Sequence, residues 1–147
     1  MSNDSARRPP FEPIGLQLAR VAKAASRAFD AALAAEDGSV PTWLILLSLK
    51  TGRPETQRAL ARAVGIEGPT LTHHLAKLEA GGLITRTREP ENRRVHRVEL
   101  TPAGDAAFER LRRAAVRFDS KLRGDLGEDD LARLRGLLDA LDGNLRG

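Results

Sequence analysis

Apolar positions recur at three- and four-residue steps along most of this chain, and breaks in that recurrence divide it into helices. Ile14, Leu18, Val21, Ala22, Ala25, Phe29 and Leu33 form one stripe, which predicts a long helix over residues 14–37 with Gly38 as its C′ residue. Pro41 suits the first turn of a second helix carrying Trp43, Ile45, Leu46, Leu47 and Leu49, and Gly52 and Pro54 break it. A third, short helix is expected over residues 56–63, with Leu60 and either Ala63 or Val64 inward. Gly65 then allows a turn with positive φ. Gly68 and Pro69 open a fourth helix, with Pro69 at N1. Leu71, Leu75 and Leu78 define its buried face, and Gly81 and Gly82 close it. A short helix, a glycine-bearing turn and a second short helix make a helix-turn-helix.

The period then changes. Residues 83–88 and 94–100 read as strands, the second with Val95, Val98 and Leu100 apolar and Arg97 and Glu99 polar. Pro90 and Asn92 between them are turn residues, so the pair forms a hairpin, a wing. Thr101 and Pro102 restart a helix as N-cap and N1. It runs to Arg123, with Ala106 or Ala107, Phe108, Leu111, Ala115, Phe118 and Leu122 inward. After an interruption at 124–127, Glu128, Asp129 and Asp130 place acids in the first turn of a last helix, complementing its dipole. Leu131, Leu134, Leu137 or Leu138, Leu141 and Leu145 make its stripe.

The expected fold is mainly α with a small two- to three-stranded β wing. A winged helix-turn-helix module covers residues 39–101, and helices at 14–38 and 102–147 flank it. Residues 1–13, polar and carrying three prolines, form a flexible arm. Leaving the flanking apolar stripes wet would be costly, at roughly 25 cal/mol per Å² of apolar area. A two-fold homodimer in which the N- and C-terminal helices interlock as dimerisation helices removes that cost, so each protomer is one intertwined domain. A self-sufficient monomeric bundle is the alternative.

Composition narrows the function. The 147 residues suffice for one compact domain or one lobe of an intimate dimer. There is no cysteine, so a thiol switch, a disulfide and a cysteine-ligated zinc are excluded. The longest uninterrupted apolar run is the five residues from Trp43 to Leu47, far short of the roughly 20 that cross a bilayer. No secretory signal is visible in residues 1–10, and a soluble cytoplasmic protein is expected. The net charge is +4, but from Lys50 to Arg97 ten basic residues face five acids, so this segment holds all of the positive excess. That is the footprint of a polyanion partner, or else a solvated arginine-rich surface. Phe11, Phe29, Trp43, Phe108 and Phe118 all lie outside the basic segment. Surfaces for single strands and RNA stack bases on aromatic rings, so duplex DNA is the favoured partner.

With Leu71, Leu75 and Leu78 inward, the fourth helix turns Pro69, Thr70, Thr72, His73, Ala76 and Lys77 outward. Threonine contacts base edges, phosphates or the thymine methyl, His73 can donate, and Lys77 suits phosphate. His74 neighbours the leucines and reads as packed. Arg88, Arg93 and Arg94 crowd the wing, where arginine suits a narrow, electronegative minor groove. A hairpin with ordinary surface ion pairs is the plainer reading of the same residues. His73, His74 and His96 offer no metal-ligand spacing, and no cofactor motif or nucleophile with a base is visible, so neither a metal site nor an enzyme is expected.

Together these pieces resemble the MarR family of winged-helix transcriptional regulators. The family's wing pattern, Asp-Pro-x-Asp-Arg-Arg, then a strand and Leu-Thr-x-x-Gly, is matched by Glu89, Pro90, Asn92, Arg93 and Arg94 and by Leu100, Thr101 and Gly104. The resemblance extends over nearly the whole chain. It implies a homodimer that binds a pseudo-palindromic operator in double-stranded DNA, usually as a repressor. It also implies release by a small-molecule effector, in many relatives a phenolic or other aromatic acid bound between the dimerisation helices and the winged module. Arg94 matches the wing arginine that enters the minor groove. Asn92 stands where the family has an aspartate paired with that arginine, so an acceptor is retained but a charge is lost. Trp43 is the largest apolar surface near the implied effector pocket and is a candidate either for ligand contact or for the core. A non-specific architectural DNA-binding protein and a winged-helix module for protein contacts are the competing functions.

Overall fold

The structure is a computed structural model that describes residues 11–52, 56–92 and 94–147. Six helices and one hairpin follow in the order α1 (Ile14–Ala34), α2 (Val40–Thr51), α3 (Gln57–Val64), α4 (Gly68–Ala80), β1 (Ile84–Arg88), β2 (His96–Leu100), α5 (Pro102–Arg123) and α6 (Glu128–Arg146). The wing has two strands among the described residues, the lower end of the expected range. The expected arm at residues 1–13 falls mostly outside the described residues.

Local chemistry explains most boundaries. Ser39 Oγ accepts the Thr42 N–H at 3.3 Å and caps α2, with Pro41 in its first turn. Thr56 Oγ1 accepts from Ala59 N at 3.1 Å at the start of α3, and Gly65 ends α3 in the left-handed region at φ 69°. Gly82, at φ 74°, closes α4 in the same way, with its own N–H bonded to Glu79 O and that of Leu83 to Leu78 O. The end of α1 differs from expectation. Asp37, not Gly38, takes the left-handed conformation, at φ 58°. Gly38 follows as the next residue, donating its N–H to Leu33 O at 2.9 Å. A β-carbon on Gly38 would lie 2.3 Å from Leu111 Cδ2, so this glycine answers to packing against α5.

The core sits where α2, α3, α4 and the wing meet α5 and the end of α1. Leu33, Ile45, Leu46, Leu60, Leu71, Leu75 and Ile84 are its largest enclosed side chains, joined by Phe108, Leu111 and Val98. On α5, Ala107 and Ala114 are the buried alanines, whereas Ala115 is only half-buried and Leu122 is exposed. Phe29 and Phe118 meet at 5.0 Å between ring centroids, bringing α1 against α5. Beyond that contact the apolar stripes of α1 and α6 are largely uncovered within one chain. Val21 is 48% exposed, Leu137 58%, and only Leu131 of α6 is buried.

Candidate nucleic-acid interface

The three inward leucines of α4 are all buried, and they fix what the helix shows to solvent. Pro69, Thr70, Thr72, His73 and Lys77 are exposed along its outer face, and His74 is half-buried beside the leucines. Thr72 is already engaged: its hydroxyl donates to Gly68 O at 2.9 Å and accepts from Gln57 Nε2 at 2.9 Å.

The wing is held by backbone pairing from Ile84↔Leu100 to Arg88↔His96. At its tip the Glu89 N–H donates to Val95 O, and the Val95 N–H to Asn92 O, both at 3.0 Å. The Asn92 amide oxygen accepts the backbone N–H of Arg94 at 3.2 Å. The acceptor that replaces the family aspartate thus braces the turn, and the Arg94 side chain is exposed. Arg88 is exposed at the end of β1. Arg93 lies outside the described residues. Two further arginines are tied down: Arg97 pairs with Glu89 across the hairpin, and Arg86 Nη2 donates to Glu79 Oε1 of α4 at 3.1 Å. The Arg86 bond holds the Glu79 carboxyl below the usual carboxylate range. It also joins the wing to the C-terminal turn of α4.

Between α3, the start of α4 and the outer end of the wing lies an open cleft of about 800 Å³. Thr72 and Arg94, both singled out from the sequence, line it together with Gln57, Arg58, Arg62 and His96. Pro69, Thr70, His73 and Lys77 continue the same surface along α4 outside the cleft. The sequence pattern alone does not single out Gln57, Arg58 and Arg62 as site residues. The signal for the two arginines is the inward Leu60: with it buried, Arg58 and Arg62, four residues apart, share an exposed helix face. Arg58, Arg62, Lys77, Arg88 and Arg94 form no ion pair among the described residues, whereas Arg86 and Arg97 do. Around the outer face of α4 and the wing, these exposed cations converge on one surface.

Trp43 is elsewhere. It is half-buried on α2 and stacks on Phe108 of α5 at 5.6 Å, at the junction of the winged module with a flanking helix. It lines neither the cleft above nor a second one of about 460 Å³ between α1 and α5. That second cleft has an alanine and Phe118 floor with Arg117 and Lys121 beside it. Arg117 reaches Glu36 at 3.4 Å.

A helix with a free outer face, packed across a second short helix and followed by a cationic two-stranded hairpin, defines a winged helix-turn-helix. The MarR family model matches residues 39–96. A Thauera aromatica protein named as a transcriptional regulatory protein for the hcr operon is 30% identical over 129 residues, covering 87% of this chain and 78% of that protein. The chain belongs to the MarR family. Among solved structures it is similar to the transcriptional repressor CouR bound to a 23-mer DNA duplex, at 30% identity and TM-score 0.77, covering 88% of this chain and 92% of that one. The fold is also that of the PcaV transcriptional regulator of Streptomyces coelicolor, at 23% identity and TM-score 0.81, covering 92% of this chain and 99% of that one.

Proposed function

We propose that this protein is a homodimeric transcriptional regulator that binds a pseudo-palindromic operator in duplex DNA and represses until a small-molecule effector releases it. The carrying observation is the convergence of exposed cations on one surface: Arg58 and Arg62 of α3, Lys77 of α4 and Arg94 of the wing border the outer face of α4, and none of them forms an ion pair among the described residues. Those cations suit phosphates, and the exposed Thr70, Thr72 and His73 between them suit base edges. The similarity to CouR in its DNA-bound form supports the same use of the surface. In this reading α4 enters the major groove and Arg88, Arg93 and Arg94 approach the adjacent minor groove. The protein acts in the cytoplasm, as a binding protein and not an enzyme; among the described residues no helix is long and apolar enough to cross a membrane.

The effector side of the proposal rests on the clefts. The α1–α5 cleft offers an apolar floor beside Arg117 and Lys121, which suits an aromatic carboxylate. Trp43, at the α2–α5 junction, is the aromatic surface that an effector wedged between the flanking helices and the winged module would meet.

The deciding experiment selects bound fragments from genomic or random DNA, then compares affinity for the recovered operator and for random duplex at about 150 mM salt. A specific regulator favours its operator by roughly 10³ or more. Equal affinities would replace this reading with non-specific architectural binding, and no affinity for either would leave a protein-contact module.

A further inference from the structure

We propose that Gln57 is a positioning residue of the DNA-reading surface, and that it commits Thr72 to reading thymine through its methyl group. The inference rests on the DNA-binding reading above. A threonine hydroxyl has one proton and two lone pairs. Here the proton goes to Gly68 O, four residues back in α4, at 2.9 Å, and one lone pair accepts from Gln57 Nε2 at 2.9 Å. Thr72 therefore has no hydroxyl proton to offer guanine O6 or N7, adenine N7 or thymine O4, the acceptors of the major groove. What remains is one lone pair and the γ-methyl, on a side chain that is exposed on the outer face of α4.

The i−4 bond alone would not hold this arrangement. Threonine in a helix divides between two χ1 rotamers, because the bond to the preceding turn competes with alternatives. Gln57 supplies the second, cross-helix anchor. It stands at the first residue of α3, immediately after the N-cap Thr56, so its backbone is fixed by the helix start. It is half-buried at the wall of the cleft that Thr72 also lines. With Oγ1 held from both sides, the methyl occupies a single direction. The remaining lone pair can only accept, from an adenine or cytosine amino group, whereas the fixed methyl gives the apolar contact to the thymine methyl assigned here.

The test uses the full-length dimer and an operator duplex in which thymines are replaced one at a time by uracil, a change that removes only the methyl. Wild-type protein should lose about fourfold affinity at one thymine of each half-site, the worth of one buried methyl-sized group. Thr72→Ser keeps both hydrogen bonds without the methyl, and should bind the thymine and uracil duplexes equally. Gln57→Ala should flatten the same ratio with an unchanged melting temperature and dimer mass. Adding Thr72→Val to Gln57→Ala should restore the ratio, because valine presents a methyl without needing the anchor. The proposal is overturned if wild-type protein binds its operator specifically yet ignores every thymine methyl. It is equally overturned if Gln57→Ala keeps the full ratio. Loss of all operator preference in wild-type protein is a different result, and would remove the DNA-binding reading itself.

Discussion

Gly104 is the position where one added carbon would do the most damage. Its β-carbon would fall 2.0 Å from Leu83 O and 3.0 Å from the carbonyl carbon, and a backbone cannot rotate away as a side chain can. The same junction carries Thr101, which caps α5 through Gly104 N at 3.0 Å and donates its hydroxyl to Gly82 O at 2.6 Å. Thr101 and Gly104 of the Leu-Thr-x-x-Gly pattern thus fasten the start of α5 to the turn after α4. Gly104→Ala should cost about 3 kcal/mol, the upper end for overpacking, read as a large fall in melting temperature by circular dichroism. A variant that melts like wild type would show that α5 moves freely there. Gly38→Ala meets only the end of the Leu111 side chain and should be milder.

The wing behaves as a unit because each of its sides is tied. Glu79 on α4 holds β1 through Arg86, the Arg97–Glu89 pair closes the hairpin, and Asn92 braces the tip. Arg86 also has its Nε buried with no hydrogen-bond partner among the described residues, so its packing is not free of cost. Arg94 serves these ties only through its backbone N–H, which Asn92 accepts, and its side chain is exposed. Arg94→Ala should therefore weaken operator binding by roughly 1–3 kcal/mol while melting temperature and dimer mass stay as they were. Gel-shift titration beside a thermal melt measures both. Unchanged operator affinity would mean that the wing does not insert.

Within one protomer, α6 has almost nothing to pack against. Leu131 is its single buried residue, while Leu134 is 44% and Leu138 42% exposed, and the front half of α1 is similarly bare. A second copy that covers these stripes is the arrangement proposed above. A chain truncated after Gly124 should then run as monomer or aggregate by size exclusion with light scattering. A well-behaved dimer of that truncated chain would make α6 peripheral. Such a result would shift the interface to α1 and α5.

The helices, the glycine-bearing turn, the cap at Thr101 and the inward leucines of α4 were legible in the residues alone. Each depends on neighbours within about one helical turn, where period, capping and φ preference act. Other features were not. The left-handed residue after α1 proved to be Asp37, and Gly38 instead answers to the Leu111 side chain of α5, which lies where a β-carbon would fall. Ala114, not Ala115, faces the core, since one residue turns a helix by about 100° and the stripe does not say how the neighbour lies. Gln57 drew no notice because nothing along the chain says that α3 brings it to Thr72, fifteen residues away. Local order is written in short-range chemistry, whereas the partner of a polar side chain is set by how separate elements pack, and at Thr72 that packing decides which atoms are left to meet a base.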